Sequence, residues 1–382
     1  MRKKSMKKIF CISVATISLF LSGCGQDRSQ DDELFGLSSK GAKKEWITES
    51  LKAKVMIDNG FVYIPGGFDV DGDGKDEGGF WLSVYEAKED KGLNSEISLK
   101  NLDSVQSLLI EHFKVFDPKD EYQRFNKDLT NESKFSTKLI RDVEGIDVKK
   151  VIFSEEGNIS KEVSPLEAVI SLENSQIQDG EKISLPSEKQ WMQLVKLVIN
   201  NPKNWTEDKV GEGKLFQGDK YGISNRRYFV IENSILGVDE FVPTSYSVDV
   251  YDLSGSVAEW TSCMIEIGDR FLSGTEGEKE YNDVNNAPFW LKPALQDDTP
   301  LNSIQGAGKY HDGYSKAGAT DTLVINENNT TGNVSEYAVV ARGGSNSIDD
   351  EMLVGIGASK LSYGAGYKGP TVGFRASSDY LY

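Results

Sequence analysis

The chain has 382 residues, 38 % of them hydrophobic and 10 % aromatic, which is enough apolar material for one large domain or two ordinary ones and too much for global disorder. Its formal net charge of −17 argues against nucleic acid as a partner, because holding phosphates takes clustered Lys and Arg. Three cysteines and two histidines argue against a disulfide framework and against a zinc or iron centre built on several Cys and His ligands.

The first residues do not read as part of a fold. "MRKKSMKKIF CISVATISLF LSGC" has a basic start, an apolar run from Ile9 to Leu21, and small residues after it. That is the pattern of a secretory signal, and it is short for a membrane span. Its end, Leu21-Ser22-Gly23-Cys24, resembles the bacterial lipobox. The resemblance implies a signal peptide over 1–23, cleavage before Cys24 and lipidation of its thiol. It further implies a lipoprotein of the cell envelope, anchored in the membrane through that lipid, since several acyl chains hold stably where one holds marginally. In a Gram-negative cell, Gly25 at the next position would favour the outer membrane. Cys11 lies in the leader, so Cys263 is the one thiol left to the body of the chain.

A polar, charged stretch follows, and residues 24–55 read as a tether. Ordered structure is expected from about residue 56 to 382. "FVYIPGGF", Phe61 to Phe68, alternates apolar residues and ends in Pro-Gly-Gly, a strand and a turn. "GGFWLSVYEAKE", Gly78 to Glu89, reads as a second strand. "LDSVQSLLIEHF", Leu102 to Phe113, has helical spacing with Asp103 as cap. "SPLEAVISLEN", Ser164 to Asn174, predicts a helix with Ser164 as cap, Pro165 in the first turn and Glu167 in capping-box position. "LPSEKQWMQLVKLVIN", Leu185 to Asn200, predicts another, capped by Ser187, with Trp191, Leu194, Val195 and Val198 on one face. Beyond Gly213 short strands alternate with Gly, Asn and Asp turns.

Between the first two strands lies "DVDGDGKDE", residues Asp69 to Glu77, placed to be the tip of a hairpin. Asp69, Asp71, Asp73 and Glu77 stand at positions 1, 3, 5 and 9, with Gly72 and Gly74 to kink the chain and the Lys75 carbonyl as a further oxygen. Calcium wants ~6–8 hard oxygen ligands of this kind. Like charges so close repel unless a cation sits among them. Phe80 at position 12 rules out an EF-hand. The loop looks like the calcium loops that cap hairpins in FG-GAP-type propellers. A structural calcium ion is the expected cofactor.

Five stretches in order carry a wider resemblance: "VYIPGGF" (Val62 to Phe68), "WLSVYEAKE" (Trp81 to Glu89), "LPSEKQW" (Leu185 to Trp191), "YDLSGSVAEWTS" (Tyr251 to Ser262), and "ARGGS" (Ala341 to Ser345) closing with "GFRAS" (Gly373 to Ser377). Together they resemble the formylglycine-generating-enzyme-like, or sulfatase-modifying-factor, family. The resemblance implies an α+β fold, the family's variant of the C-type lectin fold, with short mixed strands, two or more helices and long irregular loops. It spans essentially the whole of 56–382, with divergent insertions near 90–160 and 264–335. Read as residues, Gly66, Gly67, Gly343 and Gly344 supply backbone angles that side chains forbid. Trp191 and Trp260 are expected core anchors. Arg342 and Arg375 are expected in buried ion pairs, with Glu188 and Glu259 as partners and the pairing left open. A second calcium site, implied by the family, would use Glu259, with Ser256 where asparagine is usual.

The resemblance also implies what chemistry to look for. The family's copper-dependent oxidases use two cysteines between the Arg-Gly-Gly-Ser and Gly-Phe-Arg motifs, and copper(I) needs such soft thiolates. Here that segment, Asn346 to Val372, holds none. Cys263 lies elsewhere and reads as a small buried residue. The iron-dependent branch relies on a histidine cluster, which His112 and His311 do not make. No copper and no catalytic residues are therefore expected. The expectation is a binding module for a protein or glycan, with Asn346, Asp349, Tyr363 and Tyr367 as candidate contacts before the last strand. The alternative is a divergent enzyme of the family, either an oxidase or a sulfatase activator.

Overall fold

The computed structural model describes residues 55–70, 74–90, 111–116, 150–175, 177, 182–216, 226–233, 246–266, 337–345, 355–363 and 367–379. All belong to one unit, Ala53–Tyr382. Its strands in chain order are β1 (Phe61–Ile64), β2 (Phe80–Ser83), β3 (Lys88–Glu89), β4 (Lys114–Phe116), β5 (Val151–Ile152), β6 (Tyr228–Asn233), β7 (Tyr246–Tyr251), β8 (Ala258–Glu266), β9 (Tyr337–Arg342), β10 (Ser359–Tyr363), β11 (Val372–Gly373) and β12 (Ser377–Asp379). Two α-helices lie whole within the described residues, α1 (Pro165–Asn174) and α2 (Glu188–Asn200). Short strands in several small sheets beside few helices make a mixed α+β architecture.

One sheet runs β1-β2-β12, antiparallel throughout. A second runs β10-β9-β8-β11, with β4 also parallel to β8. β3 pairs with β5, and β6 with β7, as two-stranded pieces. Side chains alternate across a strand, and β1, β2, β8 and β9 use both faces for core. Phe61, Tyr63, Trp81, Trp260, Met264, Val339 and Ala341 pack with α1 residues Leu166, Val169 and Ile170. Ile64, Phe80, Leu82, Cys263 and Val340 pack with α2 residues Trp191, Leu194, Val195 and Val198. That double use explains why β2 reads as an unbroken apolar run; all four of its residues are buried.

Both helices start where the sequence says. Ser164 Oγ accepts from the Glu167 amide at 3.2 Å, and Glu167 Oε2 accepts from the Ser164 amide at 2.9 Å. Ser187 and Gln190 form the same reciprocal box on α2 at 3.2 and 2.8 Å, satisfying amides that no helical turn can reach. Of the helix expected over 102–113, only its end lies within the described residues. Glu111 and His112 are helical, and the chain turns to strand at Lys114.

The glycines divide by reason. Gly67, Gly343 and Gly344 have φ of +95°, +84° and +71°. Gly66 does not, and its requirement is space. A Cβ there would stand 2.3 Å from the Glu77 carbonyl oxygen. The stretch 150–160, read from sequence as part of an insertion, is stitched to the body: Ser160 donates to the Ala87 carbonyl at 2.9 Å, and β5 pairs with β3.

Candidate functional site

The hairpin is present as β1 and β2, with Phe68 bridged to Glu77, so the acidic loop is its tip. Asp69 Oδ2 accepts from the Gly74 amide at 3.0 Å, turning the first carboxylate back into the loop. The Glu77 carboxylate pairs with Lys189 at 2.8 Å, and Lys196 donates to the Asp69 carbonyl at 3.1 Å. Two lysines of α2 thus neutralise part of the charge that the sequence alone leaves unbalanced. Asp71 and Asp73 lie outside the described residues, and Lys75 is exposed. The Asp69 turn fits a cation loop, while Glu77 already has a cationic partner.

The two core arginines resolve the open pairing. Arg342 is bidentate to Glu188, with Nη2 to Oε2 at 2.5 Å and Nε to Oε1 at 3.3 Å. Arg375 takes Glu259 from Nε and, at 2.5 Å, from Nη2. All four side chains are buried. Their remaining donors are satisfied: Arg342 by the Gly357 carbonyl, Arg375 by the carbonyls of Ser83 and Tyr251. A buried pair needs this full satisfaction to offset its desolvation. Both Glu259 oxygens are therefore engaged by Arg375. Ser256 Oγ donates to Glu86 Oε2 at 3.0 Å. The residues expected to hold a second calcium ion are in this way the members of a protein network.

Glu86 is the group that sequence reasoning missed. It is 0 % exposed, and its other oxygen accepts from the Val257 amide at 3.4 Å. Burial pushes its carboxyl up to about 8, and the charges of Glu259 and Asp252 add to the rise. Near neutral pH it holds a proton and sits as an uncharged acid beside the Arg375–Glu259 pair.

Above this network opens a cleft of about 540 Å³. Tyr85, after β2, stacks on Tyr251 at the end of β7, with centroids 4.9 Å apart and planes at 27°. Burial and nearby acids push Tyr85 up to about 12, so its hydroxyl remains a donor. Arg227 grips Asp252 in a bidentate pair at 2.9 and 2.6 Å. Asp252 holds φ +60° and Ser256 φ +52°, so the turn between them is strained at two non-glycine positions, as turns at functional sites often are. Lys88 lines the same cleft and is only 4 % exposed. Gly157, at φ +117°, lets the turn after β5 cross the lysine stem; a Cβ there would come within 3.2 Å of Lys88 Cβ.

The ligand contacts expected before the last strand fall largely outside the described residues. Asn346 and Asp349 lie outside the described residues, and of Tyr363 only the backbone, in β10, is described. The Tyr367 ring packs edge-on against Trp260 at 6.3 Å, beside the core. Cys24 also lies outside. Cys263 is 1 % exposed, next to residues that break the β8–β9 register between Trp260 and Met264. Burial pushes its thiol well above the ordinary range, and the Glu188 charge pushes the same way. It is a poor source of thiolate. Among the described residues, Glu111, His112 and Glu173 place three metal-capable atoms within 4.8 Å of one another. Glu111 pairs with Lys182, and His112 Nε2 meets Glu173 at 2.9 Å, so each of the three already has a protein partner.

A scan against models of protein families finds no match to this sequence, and a search of curated proteins finds no relative.

Proposed function

We propose that this chain is a cell-envelope lipoprotein, anchored through Cys24, whose body is a non-catalytic binding module with the formylglycine-generating-enzyme variant of the C-type lectin fold. What supports the fold is how the motifs meet. Glu188 of "LPSEKQW" pairs with Arg342 of "ARGGS", and Glu259 of "YDLSGSVAEWTS" pairs with Arg375 of "GFRAS". The stretches that carry the resemblance are thus joined by buried charge pairs. A calcium ion in the Asp69–Glu77 loop would rigidify the β1–β2 hairpin, with Asp69, Asp71, Asp73 and the Lys75 carbonyl as donors and Glu77 released from Lys189 or bridging to it.

The observation that carries the non-catalytic reading is the burial of Cys263. The copper-dependent oxidases that the sequence resembles use a pair of soft thiolates, and the only thiol between Gly25 and Tyr382 is this buried one. A thiol titration tests it. With Cys11 and Cys24 replaced by serine, the native protein should leave a thiol-specific chromogenic reagent unreacted and take up no copper(I) from a chelator. Fast reaction, or copper(I) uptake lost in Cys263→Ser, would overturn the reading. Labelling of growing cells with a fatty acid should mark the wild type and not Cys24→Ala.

A further inference from the structure

We propose that the cleft between the Tyr85–Tyr251 stack and Lys88 is the ligand site of the module, and that it takes an acidic saccharide. The inference rests on the binding-module reading above and names the class of its ligand. The first observation is Lys88. It is 4 % exposed, lines the cleft, and among the described residues its ammonium has no hydrogen-bond or ion-pair partner. The acids that bear on it are Asp252 and Glu86, the latter protonated near neutral pH, and the cations Arg227 and Arg375 oppose them. Glu86 is engaged by Ser256 and Val257, and Asp252 by both arms of Arg227. A nearly buried ammonium with no direct counter-ion is costly unless something anionic meets it. Burial correspondingly lowers the Lys88 pKa, and a bound anion would restore it.

The second observation is the aromatic pair. Tyr85 and Tyr251 are half-buried and line the cleft; because Tyr251 lies against Tyr85 on one side and meets Tyr228 at 5.5 Å, Tyr85 is the ring on which a sugar would stack. Pyranose rings present one apolar face, and stacking on tyrosine combines area burial with hydrogen bonds at the rim. Around the stack, Arg227, Asp252, Asn158 and Glu155 mix donors with acceptors. Hydroxyl groups both donate and accept, so they match such a rim. An acidic peptide would meet the lysine but brings no pyranose face to the tyrosine. The volume of about 540 Å³ falls within the ~300–1,000 Å³ range of small-ligand sites and is not the flat face that a folded protein partner needs.

The position of the pair is fixed from beneath. Arg375 donates to the Tyr251 carbonyl, and the Tyr251 amide donates to the Val84 carbonyl, each at 2.9 Å. The platform is therefore built before any ligand arrives, which lowers the ordering cost of binding.

Calorimetric titration of the full chain with oligogalacturonate, its neutral methyl ester, sialyllactose, lactose and hexa-aspartate tests the proposal. An acidic saccharide should bind, and its neutral counterpart should bind about tenfold or more weakly, the loss expected when a charge-assisted contact is removed. Lys88→Gln should lower affinity for the acidic sugar to that of the neutral one while its circular dichroism and melting stay native. Tyr85→Ala should weaken both. Equal affinity for the acidic and neutral forms in the wild type would overturn the proposal, whatever the variants do. So would hexa-aspartate binding as tightly as the saccharides, or no binding by either acidic sugar. The thiol titration above can hold while this one fails; only the ligand class would then fall.

Discussion

Arg375 Nη2 donates to the Tyr251 carbonyl at 2.9 Å while the same guanidinium is paired with Glu259. One buried side chain thereby joins the core sheets to the aromatic wall of the cleft, since β8 carries Glu259 and β7 ends at Tyr251. Removing the arginine leaves a carboxylate at 0 % exposure with its main partner gone. Arg375→Met should cost roughly 3–5 kcal/mol in urea unfolding. Arg375→Met with Glu259→Leu should cost clearly less than Arg375→Met alone, because no uncompensated charge remains. A double variant as unstable as the single one would show that the pair is not what the site depends on.

Glu86 gives the fold a pH dependence of definite sign. Its carboxyl is raised from 4.5 to about 8 in the folded chain. Between these values the folded state holds a proton that the unfolded state has released, so the group stabilises at low pH and its contribution falls as pH rises. The slope can reach about 1.4 kcal/mol per pH unit for one proton. Melting temperatures of the wild type should therefore drop, relative to Glu86→Gln, as pH goes from 5 to 8. Parallel curves for the two proteins over that range would contradict the assignment.

The capping boxes are local and their effects should be local. Ser187→Ala removes the acceptor for the Gln190 amide and should cost about 1 kcal/mol, with Ser164→Ala similar. Either change should lower the midpoint of urea unfolding without altering its slope.

If the hairpin loop holds calcium, the ion stabilises by mass action. At a free concentration about 100 times its dissociation constant the gain is about 2.7 kcal/mol. Melting should rise with calcium and fall with chelator, and Asp69→Asn or Asp73→Asn should abolish the response. Lys189→Met should strengthen calcium binding by freeing Glu77, which pairs with that lysine at 2.8 Å. An unchanged melting temperature across the calcium titration would contradict the loop's assignment.

The two helices were legible because their start signals sit within four residues of one another, Ser164 with Glu167 and Ser187 with Gln190. The hairpin was legible for the same reason, with Pro65, Gly66 and Gly67 at the end of an alternating run. The charge pairs were half legible. Four buried charged residues could be named, but the partners stand 154 and 116 residues apart, and only the sheet order brings them together. The cleft was not legible. Glu86-Ala87-Lys88 reads as the polar-apolar-polar alternation of a half-exposed strand, yet all three residues are buried. Lys88 is covered by β5 and the turn after it, a stretch without a motif that the sequence places in an insertion, and Glu86 by Ser256 and Val257 far along the chain. Tyr367 was read as a contact because tyrosines between glycines suit recognition; the neighbour its ring has in Trp260 comes from the fold and could not be read from the sequence. The acidic loop was legible in its spacing and not in its charge balance, because Lys189 and Lys196 come from a helix more than a hundred residues away.

Turnover separates a body that binds, as proposed, from one that oxidises. The purified chain is incubated with a peptide carrying a sulfatase-type cysteine motif, copper and oxygen, and the peptide is followed by mass spectrometry. For a binding module the peptide cysteine should stay unmodified at all times, matching a control without protein. Conversion of that cysteine to the aldehyde at a rate proportional to protein, and absent in Cys263→Ser, would contradict it.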